Sequence, residues 1–538
     1  MADEQQSNPQ VTLRAIDWRE VFPVTHLFRA FRVAVHPSKM VLGLVALLAL
    51  YAGGRIMDGL WATGSLANFG EAKAFEQSAT GDRSGANFAD EIAADRKANQ
   101  IKYAGILRGS KIVENEKASE EAAEKFSRLN EVRSKLMWLR NDEVARSDKI
   151  RVDAEEAAKK LPSTEQDQKL REARDKYRAT VAALDAEVVE RYADLKKIKP
   201  HGVFEEFLEY QVRQVNAVAA GVVGNNWVVP GGVLTSAYNF FAVGPVWLWK
   251  FHPLYAALFT VLFLLVWAVF GGAISRIAAV QVARDEKISV RQALRFSLNK
   301  VLSFVFAPVI PLAIVAILGL LIAAGGLLMY VPVVGPIAVG AMFFLALIAA
   351  VVITLVLFGT VGGFGLMFPT IAVEGSDSFD AISRSFSYVF ARPWRMVFYT
   401  AVAVAYGALT YLFVRFFVWI VLMVTHYFAG LFLAGQPGTY FGRIWPEPSR
   451  FWDFRFPYDI NFAGLAWSED IGAFLISLWV YLLIGLVGAY AISYYLSAST
   501  IIYALMRREV DATELEDVYV EEVEDDLADL APPAAATA

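Results

Sequence analysis

Three charged residues interrupt long apolar stretches of the chain and are the first candidates for chemistry. Arg55 and Asp58 lie three residues apart near the end of the first apolar run, and Arg415 is the only Asp, Glu, Lys or Arg between Met396 and Leu433. A charge at the centre of a bilayer costs about 2.5–3.5 kcal/mol on insertion scales, so charged residues inside spans mark transport sites by default. Arg55 and Asp58 can pair on one helical face, and the long side chain of Arg415 can reach the membrane surface. Because all three can be placed near an edge, they weaken the case for an ion-coupled transporter.

A basic, aromatic cluster follows the fourth apolar run and consists of Arg384, Arg392, Trp394 and Arg395. Guanidinium groups beside a tryptophan suit anionic lipid headgroups, so these four residues are the candidate contact with membrane lipids. Ordinary basic anchoring at the cytoplasmic face explains them equally well.

The sequence contains no common catalytic or metal-binding motif. The chain has no cysteine, which excludes disulfides, thiolate nucleophiles and cysteine metal sites. Five histidines match no metal-ligand spacing, and they are His26, His36, His201, His252 and His426. There is no P-loop and no Gly-x-Ser-x-Gly, and the glycines of 359–365 suit close helix packing better than phosphate binding. The sequence therefore predicts no catalytic, cofactor-binding or metal-binding residue, and no basic patch with aromatics indicates nucleic acid.

The elements that position these residues are apolar helices. The 538 residues are 56% hydrophobic, and the mean hydropathy is +0.40. Uncharged apolar runs of about 20 residues predict membrane-spanning helices. The sequence thus predicts an all-α, polytopic membrane protein with about six transmembrane helices, the first at 40–61 and the others within a membrane domain at 254–506. A kink is expected in the third span near Pro308 and Pro311, and 331–336 is expected to be a tight turn.

A charged, helical insert at 62–202 follows the first span. No Pro or Gly occurs from Glu114 to Lys160, and Ser163 with Gln166 predicts the capped start of a second helix. Two series of apolar residues recur at three- or four-residue and seven-residue spacing: Phe126, Leu129, Val132, Leu136 and Leu139, and then Leu170, Tyr177, Val181, Leu184, Val188 and Leu195. The second series is typical of a coiled-coil seam. The insert is predicted to be an antiparallel coiled-coil hairpin, and 110–198 to be an arm that binds an envelope protein.

The remaining segments flank the membrane. Residues 1–39 are a basic cytoplasmic or interfacial segment, in which Leu27, Phe28, Phe31 and Val35 indicate either an amphipathic surface helix or an ordinary basic flank. Residues 203–252 are predicted to be amphipathic and aromatic, at the interface. Residues 435–470 are predicted to be a wet aromatic loop. Residues 507–538 are predicted to be an acidic, disordered tail that contacts a cytoplasmic partner.

The distribution of Arg and Lys predicts the orientation. Basic residues occur in the short segments 1–39, 276–301 and 368–395 and at Arg507-Arg508, whereas 331–336 has none and 426–470 has Arg443, Arg450 and Arg455. The positive-inside rule then places both termini in the cytoplasm and 62–252 outside it, because large domains translocate regardless of charge. A turn at Arg415 would add a seventh span and move the C-terminus outside, but no Gly, Pro or Asn lies between Tyr411 and Val418, which favours one long helix.

Two short basic segments resemble each other and suggest an internal repeat. Gly271-Gly272 precedes the segment 292–298, Gly362-Gly363 precedes 380–386, and these two segments align residue by residue. Duplication of a unit of span, surface helix and span is one interpretation. Chance similarity between amphipathic helices is the other.

The second segment also resembles a known family in a loose motif: Glu374-Gly375, Ala381, Arg384-Ser385-Phe386 and Trp394. The family is a poorly characterised bacterial multi-pass integral-membrane domain that occurs alone or attached to glycerophosphodiester phosphodiesterases. The resemblance covers about 254–430 and implies a helical membrane domain of unknown activity, in the bacterial cytoplasmic (inner) membrane. The phosphodiesterase catalytic domain is not in this chain, and the insert at 62–202 has no counterpart.

Three functions compete. The first is a non-enzymatic scaffold or tether with an extracytoplasmic coiled-coil arm, because the specific features lie in the insert and the tail. The second is a transporter or channel subunit, motivated by the repeat and the expected kink. A membrane enzyme acting on lipid is third, because no nucleophile or acid–base pair stands out.

Overall fold

The computed structural model describes residues 22–62, 65–79, 85–432 and 467–519. Within them the chain is helical, with one isolated β-bridge between Ala67 and His201. In chain order the α-helices of this part are α1 (Ala30–Ala34), α2 (Pro37–Leu60), α3 (Glu71–Ala79), α4 (Gly85–Gly109), α5 (Glu116–Glu124), α6 (Leu129–Ala158), α7 (Ser163–Ile198), α8 (Val203–Val223), α9 (Val233–Tyr238), α10 (Gly244–Phe251), α11 (Pro253–Val266), α12 (Gly272–Arg284), α13 (Val290–Asn299), α14 (Val301–Leu327), α15 (Val334–Glu374), α16 (Ser378–Ala391), α17 (Pro393–Gly430) and α18 (Trp467–Asp511). Short 3-10 helices (Pro23–Arg29 and Leu328–Tyr330) and π-helical turns (Asn239–Val243 and Trp267–Gly271) join some of them.

Six helical stretches of the described residues are long and apolar enough to cross a membrane: Pro37–Leu60, Pro253–Arg284, Val301–Tyr330, Val334–Glu374, Pro393–Gly430 and Ile471–Asp511. Each exceeds the roughly 20 residues that one crossing needs. The prediction of an all-helical chain with six candidate spans is therefore confirmed. The long apolar run around Arg415 forms the single helix α17, as preferred over a hairpin. Helix α14 runs through both Pro308 and Pro311 without ending.

The chain divides into two compact units. The first, called the arm unit, comprises both Leu44–Phe263 and Gly407–Ala491. Its helices α6 and α7 follow each other around the short turn 159–162, and the Glu155 carboxylate joins them. Glu155 Oε1 accepts from Arg151 Nη1 at 2.9 Å in α6 and from Arg174 Nε at 3.1 Å in α7. Of the predicted seam residues, Val181 and Leu195 are buried, and the other four of α7 are half-buried.

The first half of the insert differs from the expected uninterrupted helix. A break at 125–128 separates α5 from α6, with positive φ at Phe126 (44°) and Arg128 (63°). Burial of Phe126 explains the break, because its ring stacks on Tyr103 at 5.5 Å and the Tyr103 hydroxyl donates to the Ser127 carbonyl at 2.6 Å. Within α6 the predicted apolar series is buried at Val132 but not at Leu139, which is 45% exposed.

The predicted capping box at the start of the second arm helix is wrong. Helix α7 begins at Ser163 itself, and its N-cap is Pro162, which has no side-chain hydrogen bond to the helix. The helix boundary lies where the sequence predicts it. Pro162, whose ring fixes the backbone φ angle, marks this boundary instead of a capping box at Ser163.

The second, terminal unit comprises Met1–Gly43, Leu264–Tyr406 and Ile492–Ala538. Its short helices α13 and α16 occupy equivalent positions in the proposed repeat. Their N-caps, Ser289 and Asp377, align, and each side chain accepts a backbone N–H three residues on. The aligned alanines (Ala293, Ala381) and serines (Ser297, Ser385) are all fully buried. A methyl group on Gly272 would meet the Ser297 side chain, and one on Gly363 would meet Ser385. These shared features support duplication over chance similarity.

The C-terminal tail does not begin where expected. Helix α18 continues to Asp511, and 512–519 pack against the terminal unit, so the prediction of disorder from 507 is wrong as far as Tyr519. Arg507 explains the difference, because it pairs with Glu374 and Asp517 instead of marking a membrane edge. The remainder of the tail, the wet loop predicted at 435–470 up to 466, and 1–21 of the N-terminal segment lie outside the described residues.

Candidate functional site

The end of the first span is bonded to the start of α8 through Asp58. Asp58 Oδ1 accepts from the Phe204 N–H at 3.0 Å and from the Tyr255 hydroxyl at 2.8 Å, and Oδ2 accepts from the Glu205 N–H at 3.3 Å. Helix α8 has glycine at its N-cap and no side-chain cap of its own. A carboxylate at a helix N-terminus satisfies free N–H groups and interacts favourably with the helix dipole. Asp58 therefore caps a helix that lies far from it in sequence.

Glu206 of α8 in turn caps the N-terminus of α3. Its carboxylate accepts from the Gly70 N–H at 3.1 Å and the Ala72 N–H at 3.3 Å, at the N-terminus of that helix. Directly before α3, the β-bridge joins Ala67 to His201 by hydrogen bonds of 3.1 and 2.8 Å. The two chain ends of the insert are thus held together at its base.

Two further carboxylates extend the network from α3. Glu71 Oε1 accepts from Trp247 Nε1 at 3.3 Å, and Glu76 accepts from Gln214 Nε2 at 3.1 Å and Asn239 Nδ2 at 2.8 Å. Helices α3, α8 and α10 and the π-helical turn are therefore joined by buried polar bonds beside an apolar core that includes Phe75, Phe204 and Trp247. We call the set Asp58, Glu71, Glu76 and Glu206, with their partners, the base cluster.

Burial changes the proton affinity of the base cluster. Removal from water raises the pKa of Glu206 to about 7, and the Glu209 charge raises it further, while the two N–H groups and Arg213 oppose the shift. Burial and the nearby Glu76 carboxylate raise the pKa of Tyr210. The cluster can therefore gain or lose a proton near neutral pH. In the described residues no three His, Asp or Glu side chains converge to hold a metal ion.

The three candidate intramembrane charges have other partners than expected. Arg55 Nη1 pairs with Glu205 Oε2 at 2.8 Å, so Arg55 and Asp58 each bond to α8 instead of to one another. Arg415 is 2% exposed and donates to Asn216 Oδ1 at 2.9 Å, so its side chain is buried against α8. Asn216 also accepts from the Tyr411 hydroxyl at 3.0 Å. The side-chain amide of Asn216 in α8 is therefore a polar partner for this buried guanidinium.

The candidate lipid cluster is divided by the structure. Arg384 pairs with Asp380 at 3.0 Å and with Glu374 at 3.7 Å, and Arg395 pairs with Glu509. Arg392 and Trp394 lie on the exposed surface, Trp394 at 84%. Two of the four residues thus form ion pairs within the protein, and the other two remain accessible to a headgroup.

Sequence reasoning missed a buried polar stripe on α8. Glu206, Tyr210 and Gln214 recur every four residues along this helix and face inward. The sequence spacing predicts an apolar face with Phe204, Phe207 and Val212, but Val212 is 49% exposed. The four-residue spacing of the polar residues was visible in the sequence, but a polar stripe on a helix ordinarily indicates the solvent face.

In the described residues the fold is that of a helical protein with six apolar helices long enough to cross a membrane. Comparisons with protein-family models, curated proteins and solved structures find no match. The resemblance at 254–430 therefore stays a prediction.

Proposed function

We propose that the chain is a non-enzymatic membrane tether of the bacterial cytoplasmic membrane. Its arm, 110–198, is an antiparallel coiled coil on the extracytoplasmic side that binds an envelope protein. The base cluster is the observation that carries this proposal. It joins both ends of the insert to the first span and to α8, which a rigid projecting arm requires and a flexible loop does not.

The dimensions and surface of the arm also support a binding role. At about 1.5 Å per residue, the 30 residues of α6 and the 36 of α7 extend roughly 45–55 Å. Trp138 and Leu139 are 56% and 45% exposed side by side on α6, and Lys135 Nζ lies 4.4 Å from the centre of the Trp138 ring. Exposed aromatic residues with a cation beside them are typical centres of protein interfaces.

Photo-crosslinking at the arm surface tests the tether. A photoreactive side chain at Leu139 in the full-length protein is expected to capture one envelope protein, and Trp138→Ala is expected to abolish that product. Lys160→Ala, an exposed substitution in the turn after α6, is the matched control and should leave capture unchanged. Capture that persists in Trp138→Ala, or no saturable binding between the two purified proteins, contradicts the proposal.

A transporter or channel subunit is the second candidate, and the aligned caps and buried serines of α13 and α16 favour it. Membrane transporters are commonly built from such repeats. Solute flux into proteoliposomes, lost when Gly272 is changed to a larger residue but kept when the arm is removed, would support transport over tethering.

A further inference from the structure

The segment after α18 lies across the terminal unit. Helix α18 ends at Asp511, and the chain then turns through Ala512, whose φ is 55°. We call 512–519 the strap. Its last residue joins α15 by a main-chain hydrogen bond, from the Tyr519 N–H to the Val373 carbonyl at 2.8 Å. Val518 is 5% exposed, so the strap is packed against the protein and not merely adjacent to it.

Two buried arginines hold the strap by its acceptor groups. Arg276 donates to the Ala372 carbonyl at 2.8 Å and to the Tyr519 carbonyl at 2.7 Å, and its guanidinium lies 4.5 Å from the Phe296 ring centre. Arg507 donates to the Asp517 carbonyl at 2.6 Å and to Asp517 Oδ2 at 2.8 Å. Hydrogen bonds to charged groups stabilise a fold more than bonds between neutral groups do.

The surface under the strap also accommodates an aromatic ring. The Tyr519 ring lies over Gly375, where a methyl group would stand 2.6 Å from Tyr519 Cδ1. Gly375 has a φ of 66°, so both its backbone and the ring require glycine there. Three features of this surface are typical of peptide recognition. They are a main-chain hydrogen bond, an arginine that pairs with a carboxylate, and a glycine over which an aromatic ring lies.

Beneath the strap lies a small cavity between α12, α15 and α18. Glu514 and Leu515 of the strap line it together with small residues of the helices, among them Ala279, Ala283 and Ala504. The strap therefore closes this cavity from one side.

We propose that Arg276, Val373, Gly375 and Arg507 form a docking groove for an acidic peptide with an aromatic residue two positions after an aspartate. The strap is its intramolecular occupant and closes the cavity below. Charge complementarity selects this class of occupant, because the Asp517 carboxylate pairs with Arg507 and Glu514 lines the cavity together with Arg507. Release of the strap exposes both arginines and the cavity.

Binding of the strap as a separate peptide tests the groove. Two truncations in nanodiscs are compared: one ends at Asp511 and lacks the strap, and the matched control ends at Tyr519 and keeps it. A fluorescent peptide of residues 512–521 is expected to bind saturably to the first and at least roughly tenfold more weakly to the second. Asp517→Asn or Tyr519→Ala in the peptide should each weaken binding by roughly tenfold. Equal binding to both truncations, or equal binding of a scrambled peptide of the same composition, overturns the proposal.

A second measurement uses the full-length chain, so that a truncation that fails to fold does not decide the matter. The chain has no cysteine, so Ala504→Cys reports on the cavity and Ser289→Cys, on the exposed surface, controls for labelling. The double substitution Asp517→Asn and Tyr519→Ala is expected to accelerate thiol labelling at 504 by roughly tenfold and leave 289 unchanged. Unchanged labelling at 504 shows that the strap does not close the cavity.

Discussion

Asp58 on the first span and Tyr255 on the second meet at 2.8 Å, with the tyrosine hydroxyl donating to Asp58 Oδ1. The same carboxylate accepts the N–H groups of Phe204 and Glu205, the second and third residues of α8, so one side chain satisfies three donors. Asp58→Ala leaves these donors without an acceptor and is expected to destabilise the start of α8 by about 2 kcal/mol. Amide hydrogen exchange in 203–208 should then accelerate by roughly 30-fold.

Tyr255→Phe is the matched comparison, because it removes one donor and leaves Asp58 bonded to both N–H groups. We expect a smaller loss of about 1 kcal/mol and nearly unchanged exchange at 203–208. If both substitutions accelerate exchange equally, the tyrosine and not the cap stabilises α8.

Gly202 is predicted to be intolerant of any side chain. A methyl group there would overlap the Asp58 carboxylate, which cannot move without losing its N–H partners. Gly202→Ala should therefore reproduce the faster exchange of Asp58→Ala at the start of α8. Gly59→Ala, one residue from Asp58 with open space around it, should leave exchange unchanged. Normal exchange in Gly202→Ala would show that the cap tolerates displacement.

Stability of the arm unit is expected to fall as the pH rises through the neutral range. Glu206 keeps its proton to a pKa of about 7 in the fold, against 4.5 as the ordinary value, so between these values the folded state binds more protons. The protonated carboxyl contributes fully to the free energy of unfolding below about pH 4.5. This contribution is lost as the pH rises toward and past about 7. Glu206→Gln removes this loss because an amide does not titrate, although its single oxygen can accept from only one of the Gly70 and Ala72 N–H groups.

Thermal unfolding at several pH values measures the effect. The stability of the Glu206→Gln protein relative to the parent should rise between about pH 5 and about pH 8, on top of a pH-independent loss from the N–H group left without an acceptor. Glu190→Gln, at an exposed position of α7, controls for loss of a negative charge. A stability difference that does not depend on pH would contradict titration of Glu206.

The helical class and the number of candidate spans could be predicted because both follow from local composition. A run without charges must be helical in a bilayer, whatever surrounds it. Helix α17 illustrates this, since the lack of a turn-forming residue near Arg415 indicated one continuous helix.

The base cluster and the strap could not be predicted in this way. Asp58 caps a helix that begins at 203, and Arg276 binds the carbonyl of Tyr519, so each contact depends on distant parts of the chain. Local sequence patterns predict that Asp58 pairs with Arg55 and that the segment after 506 is disordered. The break at Phe126 was missed for the same reason, because burial against Tyr103 outweighs the helix propensity around it.

Two positions of α6 test which face of this helix is packed. The sequence spacing puts both Val132 and Leu139 in one apolar series, whereas the structure gives them exposed fractions of 1% and 45%. Val132→Ala is expected to destabilise the arm by about 2 kcal/mol, because it leaves a cavity beside α4 and α5. Leu139→Ala should change stability by less than about 0.5 kcal/mol, as exposed substitutions usually do. Hydrogen exchange across 129–158 in the full-length chain measures both. An equal loss in the two variants would mean that Leu139 is packed as well as Val132, as the sequence spacing predicts.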